Sequence, residues 1–322
     1  MNSDSKALLV AGGLLGAAGI GAGVASLLLF SKTVPRRQGP DEEMAEKFGD
    51  KAQLEKSEKK MTPAKEWLLA QPLEDVFVPS RDGLKLHALV LPAEKPSRRV
   101  VILHHGFTGQ AEDTAFHARF FHRQGYQVLL LDLRAHGRSE GQYVGFGILD
   151  RFDTSEWVKY CRLRFGQDAK IVLHGTSMGA ATVLMSLGVP EVQRTVSAAI
   201  ADCAFTSPSD IFSQVIKRDY HLPPAPILKV NGLYAKKVAG YRFDEYSTLE
   251  ALEKNRVPVL FIHGKADSFV PPWMSEENYR ACAAPKRLLL VDNAGHGNSV
   301  FENTPLYEQT ELEFLARTLG RE

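Results

Sequence analysis

"KIVLHGTSMGAATVLM", residues 170–185, sets a serine between two glycines, with an apolar run on either side. The first run, Lys170 to Gly175, has the length and continuous apolar character of a strand covered on both faces. The second, opening after Ser177, is long enough and rich enough in small and apolar residues for a buried helix. A strand-to-helix turn this tight strains the backbone at the serine and leaves room only for small residues two positions to either side, hence Gly175 and Gly179. It exposes the hydroxyl and aims the free N–H groups of the following helix at the same place. A G-x-S-x-G string by itself is only moderately specific, and the flanking strand and helix are what give this one meaning.

The pattern repeats along the chain. Residues 73–79 and 84–91 read as a hairpin turned at Asp82-Gly83. Strands are expected at 99–105, 127–132, 197–202, 257–264 and 286–292, with helices at 112–124, 148–165 and 307–319. Strands alternating with helices predict an α/β fold: a mostly parallel eight-stranded sheet with helices on both faces. Residues 203–247 break the rhythm, contain "LPPAP" at 222–226 and read as partly helical. Their position fits a small cap above the strand ends; a decorated surface loop is the competing reading.

Composition narrows the class. The 322 residues carry 39 basic and 38 acidic side chains, a net charge of +1, so no broad field attracts nucleic acid. Cys161, Cys203 and Cys282 are odd in number and far apart, which points to core packing rather than a disulfide framework or a zinc site. From Ala7 to Phe30 the chain has no charge, about 36 Å as a helix, enough to cross a bilayer. A single-pass transmembrane anchor is expected over 7–30, in preference to a cleaved signal peptide, with the lipid bilayer as partner and the cell membrane as location. Lys32, Arg36 and Arg37 lean weakly towards a cytoplasmic domain, and the opposite topology stays open. Residues 31–61, dense in Glu and Lys, read as a charged stalk. Thr62-Pro63 reads as an N-cap and first helical position, so the folded domain is expected over 62–322.

A serine hydroxyl is a poor nucleophile until a base takes its proton and a carboxylate orients that base. His296, in "VDNAGHGNS", follows the last strand, and Asp267, in "HGKADSFVPP", follows the strand before it. With Ser177 these are the candidate catalytic residues. Asp202 also follows a strand and is the rival acid. His87, His117, His122 and His221 are expected to be surface or satisfied polar residues. The developing oxyanion needs two donors: the backbone N–H of Met178, just after the nucleophile, and that of Phe107 in the turn of "HHGFTG", residues 104–109.

"HHGFTG" (104–109), "LDLRAHGRSEG" (131–141), "GTSMG" (175–179), "HGKADSFVP" (263–271) and "AGHGNS" (294–299) occur in the order found in the α/β-hydrolases. Over residues 73–319 the chain resembles their serine aminopeptidase and acyl-esterase branch, and its apolar amino terminus resembles that of a membrane-attached bacterial subgroup. The resemblance implies the α/β-hydrolase fold, a Ser177/Asp267/His296 triad with Asp267 rather than Asp202 as the acid, and an oxyanion hole from Phe107 and Met178. It also implies that the insertion after Asp202 caps an acyl pocket and that Asp132, Arg134 and His136 are structural. The expected chemistry is acyl transfer from a small ester to water, with no cofactor or metal. The rivals are an aminopeptidase or amidase with the same residues, and a silent, membrane-tethered binding module.

Overall fold

A computed structural model of the chain describes residues 23–36 and 51–320. Among them eight strands form one sheet in the order β1-β2-β4-β3-β5-β6-β7-β8. They are β1 (Glu74–Pro79), β2 (Lys85–Leu91), β3 (Arg99–His104), β4 (Gln127–Leu131), β5 (Lys170–Thr176), β6 (Val196–Asp202), β7 (Val259–Gly264) and β8 (Lys286–Val291). The hairpin β1/β2 and the β2/β4 pair are antiparallel, and every other pairing is parallel. Each expected strand is present to within about two residues.

The continuous apolar runs are explained by burial of both faces. Val100, Ile102, Leu129, Leu131, Ile171 and Leu173 pack into one core layer. Their neighbours Val101, Leu103, Val128, Leu130 and Val172 pack into the other. Successive side chains on a strand point to opposite faces, so only a sheet covered on both sides needs every position apolar. The first layer lies under the helices Asp150–Phe165 and Met178–Ser186, with Trp157, Val158, Val183 and Leu184 fully buried. The second lies under Lys51–Leu69, Ala115–Arg123 and Thr304–Leu319, contributing Leu68, Phe121 and Tyr307. The insertion at 203–247, referred to below as the cap segment, holds two further helices, Pro208–Tyr220 and Pro224–Ala239.

The amino-terminal region departs from expectation. Residues 7–22 of the expected transmembrane helix and 37–50 of the expected stalk lie outside the described residues. Among the described residues, no helix is long and apolar enough to cross a membrane. Residues 23–33 are helical and rest on the cap, with Leu29 and Phe30 buried, the Phe30 ring 4.7 Å from that of Tyr234, and Asn231 Nδ2 donating to Ser26 O at 3.2 Å.

The ends of the stalk also belong to the folded body. Val34 is fully buried, and backbone bonds run from Val144 N to Val34 O and from Arg36 N to Gln142 O, both 2.7 Å. The Arg36 guanidinium donates to Ser139 O and Gly137 O. Residues 51–61 form the front of the helix Lys51–Leu69, which runs through Pro63, so Thr62 is not an N-cap and the ordered body does not begin near 62. A proline costs such a helix one hydrogen bond. Contacts on either side offset it: Lys56 Nζ meets Glu302 Oε2 at 2.7 Å, Lys60 Nζ donates to Phe301 O and Thr304 Oγ1 at 2.8 Å, and Ala64 and Leu68 are wholly buried. The lysines that suggested a solvated stalk are the residues that bind this helix to the carboxyl-terminal ones.

Candidate active site

Four parallel strands end on one rim, and the loop beyond each carries a candidate residue. Ser177 follows β5 with φ 56° and ψ −117°, a conformation ordinary residues avoid. Its N–H is tied to Asp202 O at 2.8 Å and its carbonyl accepts from Ala181 N at 2.9 Å, so the turn is pinned on both sides. The two glycines are there for close approach. A Cβ on Gly175 would lie 2.4 Å from the backbone of Gly179, and one on Gly179 would lie 2.2 Å from His104 O.

Asp267 follows β7 and His296 follows β8. His296 Nε2 lies 2.8 Å from Ser177 Oγ, and its Nδ1 lies 2.8 Å from Asp267 Oδ2. A carboxylate only accepts, so Nδ1 carries the proton and Nε2 is left to accept from the serine hydroxyl. Asp267 Oδ1 accepts from the N–H groups of Phe269 and Val270, both 2.9 Å. Burial works against the charge on this carboxylate. The closeness of the His296 ring, with hydrogen bonds from His263 and His296, outweighs it and holds Asp267 well below the usual carboxylate range. All three side chains are buried.

Asp202 is placed differently. It ends β6, fully buried, with Oδ2 accepting from Tyr307 OH at 3.1 Å. Burial raises it to about 6. Of the two candidate acids it is Asp267 whose carboxylate bonds the imidazole, while Asp202 accepts from Tyr307.

The turn after β3 brings Gly106 against the serine: a Cβ built there would stand 3.7 Å from Ser177 Cβ, ordinary contact. Phe107 follows it, half-buried, with its ring stacked on Phe146 at 5.4 Å. Phe146 packs on Phe212 of the helix Pro208–Tyr220 at 5.0 Å. Met178 is buried at the start of the helix after Ser177. Phe107 and Met178 therefore flank the serine, the first as the start of an apolar wall that continues into the cap.

Several residues that set this geometry were not singled out from the sequence. His263 is the penultimate residue of β7, with Nε2 2.8 Å from Val270 O and Nδ1 2.6 Å from Ser275 Oγ, and it lies 3.2 Å from Asp267 Oδ2. It braces the acid loop, and its position four residues before Asp267 was the available signal. His105 accepts from Leu133 N at 3.0 Å through Nε2, and its Nδ1–H reaches Gly106 O at 2.7 Å, bracing the turn that carries Phe107. Burial holds the His105 pKa down, so the ring stays neutral. Arg218 of the cap donates to Ser268 O at 3.0 Å and stacks over Phe269, itself packed on His296.

The "LDLRAHGRSEG" residues serve the fold, as the resemblance implied. Arg134 makes a double hydrogen bond to Asp153 at 2.6 and 2.7 Å and reaches Asp82 at 3.0 Å. Asp132 accepts from His87, Ala111 N and Arg138 N. His87 is thus a satisfied buried residue, and His122 likewise lies 3.0 Å from Pro92 O. His221 is exposed. His117 is instead buried against His174 and Tyr307, beneath the sheet. The three cysteines are buried and free.

A strand-to-helix turn carrying a strained serine, with a histidine and an acid delivered from later strands, is an arrangement of the α/β-hydrolase fold, and residues 101–308 match the alpha/beta hydrolase family. The chain belongs to that family. It is 31% identical to the uncharacterized protein YqkD of Bacillus subtilis over 239 residues, 74% of this chain and 77% of that protein. It is 27% identical over 271 residues to the alpha/beta hydrolase domain-containing protein WAV2 of Arabidopsis thaliana, covering 80% of this chain and 82% of the relative. Among solved structures, the Pyrococcus furiosus esterase Pf2001 superposes with a TM-score of 0.64 at 23% identity, over 79% of this chain and 95% of that one. That likeness is one of fold.

Proposed function

We propose that the protein is a serine hydrolase of the esterase type, cleaving carboxylic esters of short to medium acyl chain through an acyl-enzyme. One observation carries the reading: the unbroken hydrogen-bonded chain from Ser177 Oγ through the His296 ring to Asp267, 2.8 Å at each link, on a serine held in a strained turn.

In this reading Ser177 Oγ attacks the ester carbonyl carbon while its proton passes to His296 Nε2. Asp267, held by two backbone N–H groups, keeps the imidazole in the tautomer that can accept and stabilises the imidazolium that forms. The N–H groups of Met178 and Phe107 receive the oxyanion. The tetrahedral adduct collapses, the C–O bond to the alcohol breaks, and the alkoxide leaves with the proton from His296. Water, deprotonated by the same nitrogen, then attacks the acyl-enzyme and releases the acid. Ester rather than peptide substrates are favoured by the apolar surroundings, because Phe107 beside the serine turn packs into a buried aromatic cluster of Phe146, Phe212 and Phe243. The esterase character of the Pyrococcus relative in fold agrees with this.

Turnover of p-nitrophenyl acetate, butyrate and octanoate against alanyl and leucyl p-nitroanilides tests the substrate class. The proposal expects ester hydrolysis with a preference among acyl lengths and at most trace anilide cleavage. Anilide cleavage without ester cleavage would assign the site to an aminopeptidase instead.

A further inference from the structure

Most apolar side chains that remain exposed on a folded protein are scattered singly. Here they gather. Half of the large apolar residues left exposed among the described ones lie on the 23–33 helix and the two cap helices, and Leu222 stands between the latter. Val230, Leu233 and Tyr234 stand three and four apart along Pro224–Ala239, at 42%, 58% and 39% exposure. Leu27 and Leu28, at 54% and 59%, extend the surface from the neighbouring helix. Beside them an apolar cavity of about 450 Å³ opens between the 23–33 helix and the cap, lined by Leu28, Leu29, Ile216, Leu222 and Ile227 among others.

Two further observations identify what such a face meets. The chain enters it from residues 7–22, a stretch without a single charge that joins the 23–33 helix directly. Around it stand exposed cations, Lys217, Lys229 and Lys237, and the helix Pro224–Ala239 contains no acidic residue. Apolar side chains bordered by lysines suit the boundary between acyl chains and anionic headgroups, where a helix lies in the plane of the membrane. We infer that the outer face of the cap, together with the 23–33 helix, rests on a lipid bilayer. The docking is independent of the hydrolase reading. Its consequence for substrate rests on that reading: Phe212 and Ile216, one turn apart on a single cap helix, face the aromatic wall behind Phe107 and the apolar cavity respectively, so the site draws acyl esters from the bilayer.

The three native cysteines are buried, so a thiol-reactive fluorophore on full-length Leu233→Cys reports the cap alone, with Leu163→Cys, 80% exposed on Asp150–Phe165, as control. With vesicles of equal phosphatidylcholine and phosphatidylglycerol, nitroxide-bearing lipids are expected to quench position 233 strongly and position 163 hardly at all. Equal weak quenching at both would mean the domain hangs clear of the bilayer. Shielding of position 233 without vesicles, with a dimer on size exclusion, would mean a second copy covers the face. Either overturns the inference. The double variant Val230→Glu, Leu233→Glu is expected to cleave soluble p-nitrophenyl butyrate as the parent does, while losing about tenfold on a long-chain ester embedded in vesicles. No selective loss on the embedded ester would contradict the substrate claim. A parent inactive on both esters would sink the hydrolase reading, and the quenching result would still decide the docking.

Discussion

Ser177 sits in a strained turn: φ of 56° in a non-glycine residue is tolerated because its N–H and C=O are both bonded and the next residue begins a buried helix. Its partners are held as firmly. Asp267 has both oxygens occupied, so Asp267→Asn keeps the shape but presents an amide to His296 Nδ1 and favours the wrong tautomer. Steady-state ester kinetics should show kcat down by roughly three to four orders of magnitude. Asp202→Asn should leave turnover within about threefold, because its side chain bonds Tyr307 rather than the imidazole. The same substitution reveals the burial of Asp202. Its carboxyl is raised to about 6 against about 3.9 unfolded. The folded state therefore holds the proton more tightly, and stability is lost as pH rises from about 4 through 6. Removing the ionisable group should make the variant gain on the parent by on the order of 2 kcal/mol between pH 4 and pH 8. Urea unfolding at the two pH values measures it, and a variant that gains nothing would place Asp202 in a more hydrated setting.

At the scale of elements, the turn glycines are the most demanding positions. Gly179→Ala sets a Cβ 2.2 Å from His104 O, and backbone cannot yield as a flexible side chain can. A loss of about 3 kcal/mol or more in chemical denaturation is expected, with activity falling alongside. Pro63 runs the other way. It interrupts the hydrogen bonding of Lys51–Leu69 from an exposed position, so Pro63→Ala should raise stability by about 1 kcal/mol, read as a higher Tm. That proline also shows where sequence reading stops. Strands buried on both faces announce themselves as unbroken apolar runs, and the G-x-S-x-G turn needs its glycines for reasons local to the chain, so the sheet and Ser177 were legible. The choice of Asp267 came from the family resemblance of its "HGKAD" setting, but His296 and two acids, Asp202 and Asp267, were reachable because all follow strand ends in order. The helix at 51–61 was not, since its lysines gain meaning only from Glu302, Phe301 and Thr304. Nor were His263 and His105, whose work is done through partners brought near by the sheet.

On the scale of the whole molecule, one rim gathers the chemistry and the cap links it to an apolar outer face. Loops after β3, β5, β7 and β8 converge because parallel strands all end on the same side of the sheet. The Lys51–Leu69 helix reaches the same rim from below, with Gln53 Nε2 donating to Asn293 O at 3.0 Å three residues before His296. Mass spectrometry of the intact protein and its peptides after a fluorophosphonate probe measures whether these parts make a reactive centre. One adduct is expected, on the peptide containing Ser177, abolished by Ser177→Ala and strongly slowed by His296→Ala. An unlabelled folded protein, or an adduct on any other residue, would contradict it.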